Sequence, residues 1–496
     1  MPVAILLTLL SGCVAEGAAP TPLAAAPTQT VSPSQTPIPT AAPSATPTAT
    51  PAPPTATPPP TATPAPRYDL VLSGGTLIDG TGAAPLPDAA VAISGGRIVA
   101  VGRAGELAFS ADTPVHELAG ATILPGFINA HAHTMNLSDD ELRAWVRAGI
   151  TTIVDLGGPL AENTARRDRI AAGDDLSLPR LLVAGPIVNV QGSFSTELAS
   201  SNDRVLVVDG PADARAKILG LLDGGADLVK LAVSGRTDVR YAELSNEELA
   251  AIIAAARERG ANVAAHVDRA VALRRAVERG VNSVVHSPRD RIPDELIALM
   301  VERGVVMAPT IAVYEGLARE RGNLTEWRRL IQPVMYDNLR RFAAAGGILA
   351  LGDDYGGAQG MTVGMPAEEI GHWLAAGITP MQVIVAATSG SARVAGQEGE
   401  LGTIAPGFVA DIFVVDGDPL EDIDALVRPR LVVRGGEVVW IANDAKASEK
   451  RETKVRTFER EDAERSGAKR LRSSRKGRRE RIVRTKPDRG CPLLAR

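Results

Sequence analysis

Between Tyr68 and Trp440 short β-like runs alternate with amphipathic helical stretches, and this alternation constrains the fold more than any other feature of the chain. The runs fall at 121–129, 151–155, 180–184, 228–233, 262–266, 283–286, 305–309 and 348–352. Two of the helical stretches open on capping boxes, Ser138-Asp139-Asp140-Glu141 and Ser245-Asn246-Glu247-Glu248, which fix where those helices begin. Strands separated by helices pair in parallel, and eight β-then-α units in about 270 residues match a (β/α)8 TIM-type barrel in count and length. A doubly wound open sheet would bring a Gly-rich phosphate loop after its first strand, and the sequence has none there. Further short strands precede the barrel (68–72, 90–93, 97–101) and follow it (410–415, 431–433), punctuated by Gly-Gly pairs. Such flanks can pair only where they meet. The expected organisation is therefore a barrel over 121–398 and a small composite β-sandwich built from 67–120 and 399–441.

The ends of the chain have a different character. The apolar run from Val3 to Leu10 is far too short to span a bilayer and reads as the core of a signal peptide. Leu10-Ser11-Gly12-Cys13 follows it and resembles the bacterial lipobox, which predicts a signal peptide over 1–13 and acylation of Cys13; no Lys or Arg precedes that cysteine. From Ala18 to Pro66 the chain carries 16 prolines and neither a charged nor an aromatic residue. Residues 14–66 are thus expected to be a solvated stalk, reaching on the order of 150 Å at about 3.1 Å per residue. The result would be a domain held by lipid at Cys13 outside the cytoplasmic membrane. Residues 442–496 hold 19 Lys+Arg against 9 Asp+Glu and read as a disordered basic tail. The whole chain is at −5, so residues 1–441 carry −15, which excludes nucleic acid as the partner of the main body. Two cysteines, one near each end, exclude a disulfide framework.

The chemistry-bearing residues cluster at strand ends, where the catalytic face of such a barrel lies. His131 and His133 end the first strand, and a spacing of two puts both imidazoles on one side of it. His266 and His286 end the fifth and sixth. Lys230 is a cation inside the apolar run Leu228-Val229-Lys230-Leu231, a costly placement unless it is neutralised, modified or bound. Asp354 follows the eighth strand, with Asp353 as the competing carboxylate. Six polar groups converging on one face of an apolar barrel point to a metal site.

This constellation resembles the amidohydrolase superfamily of metal-dependent hydrolases over nearly all of Tyr68 to Trp440. The likeness rests on Leu124-Pro125-Gly126-Phe127-Ile128-Asn129-Ala130-His131-Ala132-His133, and on Ser73-Gly74-Gly75-Thr76-Leu77-Ile78-Asp79-Gly80-Thr81-Gly82 upstream. Downstream it rests on Gly402-Thr403-Ile404-Ala405-Pro406-Gly407-Phe408-Val409-Ala410-Asp411. The stretch 245–266, Met307-Ala308-Pro309-Thr310 and Ala386-Ala387-Thr388 are similar to the branch of imidazolonepropionase-like and prolidase-like proteins. The resemblance implies that His131, His133 and Asp354 hold one divalent metal, most simply zinc, and that His266 and His286 hold a second. Lys230, carbamylated, would bridge them. Asp354 takes the ligand place because family members usually have Gly-Thr-Asp where this chain has Gly352-Asp353-Asp354. His116 and His372 match no ligand position.

The activity so implied is hydrolysis of an amide or related C–N bond in a small molecule by a hydroxide between the metals, with Asp354 moving the proton to the leaving nitrogen. A dipeptide or acyl-amino acid is the leading substrate class. Cyclic amides and lactones are alternatives, as is a single-metal deaminase, against which Lys230 argues. A non-enzymatic alternative is a surface-tethered binding lipoprotein. Arg236 and Tyr241 after the fourth strand and Tyr314 after the seventh are candidate substrate contacts, while Gln191-Gly192-Ser193 departs from the Gly-Gly-His-like segment of many relatives. Assembly into a homo-oligomer is compatible with this architecture.

Overall fold

The computed structural model describes residues 65–442 except 174, 199–201 and 235–240. The expected signal peptide with Cys13, nearly all of the stalk and the basic tail beyond residue 442 lie outside the described residues. Among those described, no helix is long and apolar enough to cross a membrane.

Both flanks of the chain contribute to one eight-stranded sheet. From the N-terminal side come β1 (Leu70–Leu77), β2 (Leu86–Ser94), β3 (Arg97–Arg103), β4 (Val115–Glu117) and β5 (Ala121–Pro125). The parallel strands follow: β6 (Phe127–Ala132), β7 (Ile150–Asp155), β8 (Arg180–Val183), β9 (Ile187–Val190), β10 (Val205–Val208), β11 (Val229–Ala232), β12 (Val263–His266), β13 (Ser283–Val285), β14 (Val306–Ala308) and β15 (Ile348–Leu349). Three more strands return to the flanking sheet, β16 (Ile412–Asp416), β17 (Pro429–Arg434) and β18 (Glu437–Ile441). The order is β18-β17-β16-β5-β1-β2-β3, with β4 beside β1. The join is antiparallel, from Ile412 opposite Pro125 to Asp416 opposite Ala121. In its hydrogen bonds this is one continuous sheet.

The expected first strand, 121–129, is in fact two. Pro125-Gly126 breaks the apolar run, so that β5 belongs to the flanking sheet and only β6 to the parallel layer. A continuous apolar run carries no mark of which layer buries each half. The other seven expected strands lie where the sequence placed them, as β7, β8 and β11 to β15. Two strands of the parallel layer were not expected, β9 and β10 after β8, and β9 pairs with β11 at Val188 opposite Leu231; β4 and β18 of the flanking sheet were not expected either.

The parallel strands form a three-stranded sheet, β6-β7-β8, and a seven-stranded one, β10-β9-β11-β12-β13-β14-β15. Hydrogen bonds cross both gaps between them: Ala130 N donates to Leu351 O at 2.8 Å, and Asp227 N to Val183 O at 2.8 Å. Helices cover the outside. Both expected capping boxes are formed, opening the helices Asp139–Arg147 and Asn246–Glu258. The flanking sheet docks through Phe413, whose ring meets Phe127 edge-on at 5.4 Å. Gly149 makes this possible, since a Cβ there would lie 2.5 Å from the Phe413 ring, and its φ of +90° favours glycine.

Candidate metal centre

Strand ends on the parallel sheets bring His131, His133, Lys230, His266, His286 and Asp354 to one cavity of about 400 Å³. Asp354 Oδ1 lies 3.1 Å from His131 Nε2 and 3.0 Å from His133 Nε2. Lys230 Nζ lies 3.3 Å from the same His131 nitrogen. The His131 ring centroid is 5.0 Å from that of His286, which is in turn 4.3 Å from that of His266. Ligand atoms of His131, His286 and Asp354 all fall within 4.8 Å of one another.

The electrostatics of this cluster suit a cation. Burial, reinforced by the nearby Lys230 and the other imidazoles, pushes His131 well below the usual histidine range, so it stands as a neutral donor. Burial would also depress His133, but Asp354 beside it outweighs that and holds it above the ordinary value. Lys230 is pushed down to about 7 by burial, against the pull of Asp354. Two rings have their outer nitrogen engaged: His133 Nδ1 lies 3.3 Å from Gly157 O, and His286 Nδ1 lies 2.6 Å from Thr310 Oγ1. That leaves Nε2 of each to face the cluster, the usual arrangement of metal-binding histidines. The donor set of His131, His286 and Asp354, imidazole nitrogens and a carboxylate oxygen within 4.8 Å of one another, therefore fits a divalent ion.

The two aspartates have different surroundings. Asp353 turns away from the imidazoles, accepts from Asn129 Nδ2 at 2.8 Å and from Tyr355 N at 3.3 Å, and is pushed up to about 7 chiefly by burial. Asp354 is the one that meets His131 and His133. Close approach is built in, because a Cβ at Gly352 would lie 2.7 Å from His131 N.

The substrate candidates divide. Tyr314 lines the cavity, its ring 5.6 Å from that of His286. Tyr241 stands one layer back, 6.5 Å from Phe194. Arg236 lies outside the described residues. His116 is on β4, away from the cluster, and His372 is bonded to the Tyr336 hydroxyl at 2.8 Å with Glu315 3.3 Å from its other nitrogen.

Several residues at the site were not singled out from the sequence. Phe194, on the short helix after β9, stacks 4.9 Å from His266. Thr310 orients His286 from 24 residues away. Asp155, at the end of β7 and fully buried, accepts from Thr134 N at 3.0 Å and Gly157 N at 3.1 Å, fixing the loop whose carbonyl faces His133. The signal available for Asp155 was a charged side chain in an apolar strand, as at Lys230.

Residues 122–439 match the model of the amidohydrolase family. The chain belongs to the amidohydrolase family. Among its relatives is ochratoxinase of Aspergillus niger, 25% identical over 429 residues that cover 74% of this chain and 86% of that protein. Imidazolonepropionase of Symbiobacterium thermophilum is 28% identical over 368 residues, covering 67% of this chain and 85% of the other. Of solved structures, a Xaa-Pro dipeptidase with methionine in its active site superposes with a TM-score of 0.65 at 25% identity, over 75% of this chain and all of that one. The parallel α/β architecture of this amidohydrolase is thus TIM-barrel-like, in the prolidase and imidazolonepropionase-like branch. Its members generally bind divalent metal ions, and this chain is a hydrolase acting on C–N bonds.

Proposed function

We propose that this amidohydrolase cleaves the amide bond of a dipeptide or acyl-amino acid, on a closed (β/α)8 barrel, with two divalent metals at its mouth. The carrying observation is the convergence of His131, His133 and Lys230 on the Asp354 side of the cavity within 3.0 to 3.3 Å. His131, His133 and Asp354 would hold one ion, His266 and His286 the other, and zinc suits this nitrogen and carboxylate set. When bound, the metals supply Lewis-acid polarisation of the scissile carbonyl and acidify water to near neutrality. Lys230 is equipped to become the bridging ligand. With its pKa at about 7 a large share is free amine near neutrality, able to add carbon dioxide and release a proton, which leaves a carbamate whose single negative charge is shared by two oxygens. Asp354 accepts the proton of the attacking water and delivers it to the leaving nitrogen. Thr310 and the Gly157 carbonyl hold two of the imidazoles in place while this happens.

The relatives support the substrate class, since a Xaa-Pro dipeptidase is among the similar structures. The test is the metal content and activity of protein loaded with zinc and bicarbonate. We expect two zinc ions per chain, a Lys230 peptide heavier by one carbon dioxide, and turnover of dipeptides or acyl-amino acids. Turnover confined to cyclic amides, lactones or aminopurines would overturn the substrate class, and less than one metal per chain would favour a binding lipoprotein. We further infer that the protein is carried outside the cytoplasmic membrane by acyl chains on Cys13, with the stalk as spacer. A Cys13→Ala protein that stays on membranes after a salt wash would refute that location.

A further inference from the structure

The cavity holds a cation that the hydrolytic chemistry leaves unused. Arg289 stands three residues beyond His286, in the loop after β13, with its side chain four-fifths buried in the cavity wall. Its Nη2 donates to Asp268 Oδ2 at 2.6 Å. Asp268 is itself 1% exposed and pinned, accepting from Ser234 Oγ at 2.9 Å while its backbone N–H donates to the same hydroxyl at 3.2 Å. The Arg289 backbone N–H closes the arrangement by donating to Asp268 O at 3.0 Å. The guanidinium carbon lies 5.9 Å from the Tyr314 ring centroid, and that ring lies 5.6 Å from the His286 ring. One aromatic side chain therefore separates the guanidinium from the nearest imidazole of the metal centre.

This placement has more structure than a neutralising ion pair needs. A pair formed only to balance Asp268 would be complete with the one contact at Nη2. Here the Nε–H is buried and has no acceptor among the described residues, although buried polar groups are as a rule paired. Guanidinium offers its donors in a rigid planar fork that matches a carboxylate in two-point contact. Asp268 and Tyr314 fix the plane of that fork from two sides, so it is set before any ligand arrives. Arg321, the other arginine of the wall, is exposed and has no such support. Beyond Arg289 the wall is mixed, with Leu317 and Trp327 beside Arg321, Asn323 and Glu326. On the other side a second cavity of about 520 Å³ shares His133 and Phe194 with the first and is lined by Met135 and Met361.

We propose that Arg289 is the anchor for a free carboxylate on the substrate. The enzyme then acts from the carboxyl end of acyl-amino acids and dipeptides. This rests on the amide-hydrolase reading above and deepens it, by assigning the side chain that recognises the α-carboxylate which dipeptides and acyl-amino acids carry next to the bond that breaks. The guanidinium takes the carboxylate through its fork, and the scissile carbonyl is left over the candidate metal centre.

The test uses the full zinc-loaded protein and two substrates that differ only in the anchored group, N-benzoyl-leucine and N-benzoyl-leucinol. A site built to hydrogen-bond a group strongly rejects the analogue that lacks it. Wild type should prefer the acid by at least 100-fold in kcat/KM, and Arg289→Met should bring that preference below tenfold. Arg289→Lys, which keeps the charge on Asp268 but not the fork, should fall between. Calorimetric binding of N-benzoyl-leucine should weaken at least tenfold in Arg289→Met, with melting temperature recorded for both proteins. A preference unchanged in Arg289→Met, with both substrates slowed alike, would make Arg289 a structural partner of Asp268 and overturn the proposal. So would equal affinity in the two proteins, or no measurable binding of the acid to wild type. Wild type that binds the acid through Arg289 yet cleaves no amide would refute the amidase reading alone; wild type that cleaves acid and alcohol equally would refute the anchor alone.

Discussion

Replacing Thr310 by valine removes one hydroxyl and little else. That hydroxyl lies 2.6 Å from His286 Nδ1, and Thr310 has no exposed surface, so water cannot take its place. Valine has nearly the same shape, and both residues are β-branched, so the strain of the left-handed backbone at this position (φ 47°) is the same before and after. What is lost is the hydrogen bond that selects the orientation of the imidazole. A buried hydrogen bond broken on one side costs about 1–3 kcal/mol, and loss of an outer partner of a metal-binding histidine typically costs about 10–100-fold in metal affinity or activity. The two figures agree, since each 1.4 kcal/mol is about tenfold. Competition between the protein and a chromophoric chelator measures the zinc affinity, alongside thermal melting of the metal-free form. Thr310→Val should bind the ion held by His286 about 10–100-fold more weakly, and Thr310→Ser, which restores the oxygen, should recover most of that. The metal-free melting temperature should move by only a few degrees. An affinity within twofold of wild type would show that packing alone orients His286 and that the hydroxyl is incidental.

Gly149→Ala should cost about 2–5 kcal/mol in urea unfolding, combining a left-handed backbone with overpacking against Phe413; an unchanged midpoint would refute that contact. Glu369 is fully buried, accepts from Ala312 N at 2.7 Å and Trp373 Nε1 at 2.8 Å, and is pushed by burial from 4.5 up to about 7. An acid whose folded pKa is raised is protonated in both states below about 4.5, and above that only the folded state keeps the proton. Stability should therefore fall as pH rises from about 4.5 to about 7 and level off beyond, by up to about 3 kcal/mol from this group. Urea midpoints that rise over that window in wild type, with the same slope in Glu369→Gln, would contradict it. Asp155→Asn sets an amide donor against donors from Thr134 and Gly157, at about 1–3 kcal/mol, and should cut turnover at least tenfold through His133; full activity would show that the loop is held by other means.

The parts of the fold that were legible were those whose burial leaves a mark in one dimension. Strands covered on both faces read as uninterrupted apolar runs, which is why β7, β8 and β11 to β15 could be placed from the sequence. The same signal misleads at 121–129, because an apolar run does not say which of two layers buries it; only Pro125-Gly126 marks the division. No helix separates β9, Ile187-Val188-Asn189-Val190, from β8, so the alternation of strand and helix does not mark it. Lys230 was legible for an energetic reason, since a cation in such a run must have a purpose. Asp354 was chosen over Asp353 by resemblance; in space the difference is that Asn129 claims Asp353. Thr310, Asp155 and Arg289 escaped because each acts through a partner 21 or 24 residues away, Asp155 on Thr134, Arg289 on Asp268 and Thr310 on His286.

The backbone carries a further part of the site that side-chain types do not disclose. Among the described residues four non-glycines have positive φ, and three of them, His286 (73°), Thr310 (47°) and Asp354 (58°), stand together at strand ends of the metal centre. Conformations of this kind cost of order 1–3 kcal/mol each and persist only where the surroundings over-determine them. Here the surroundings are visible: His286 N donates to Ala308 O at 2.8 Å, Asp354 N to His131 O at 2.8 Å, and Glu369 accepts from the helix that Thr310 begins. Each strained residue is thus held by the strand or helix beside it, independently of any ion. A candidate site fixed this way would hold His286 and Asp354 in place before any metal arrives.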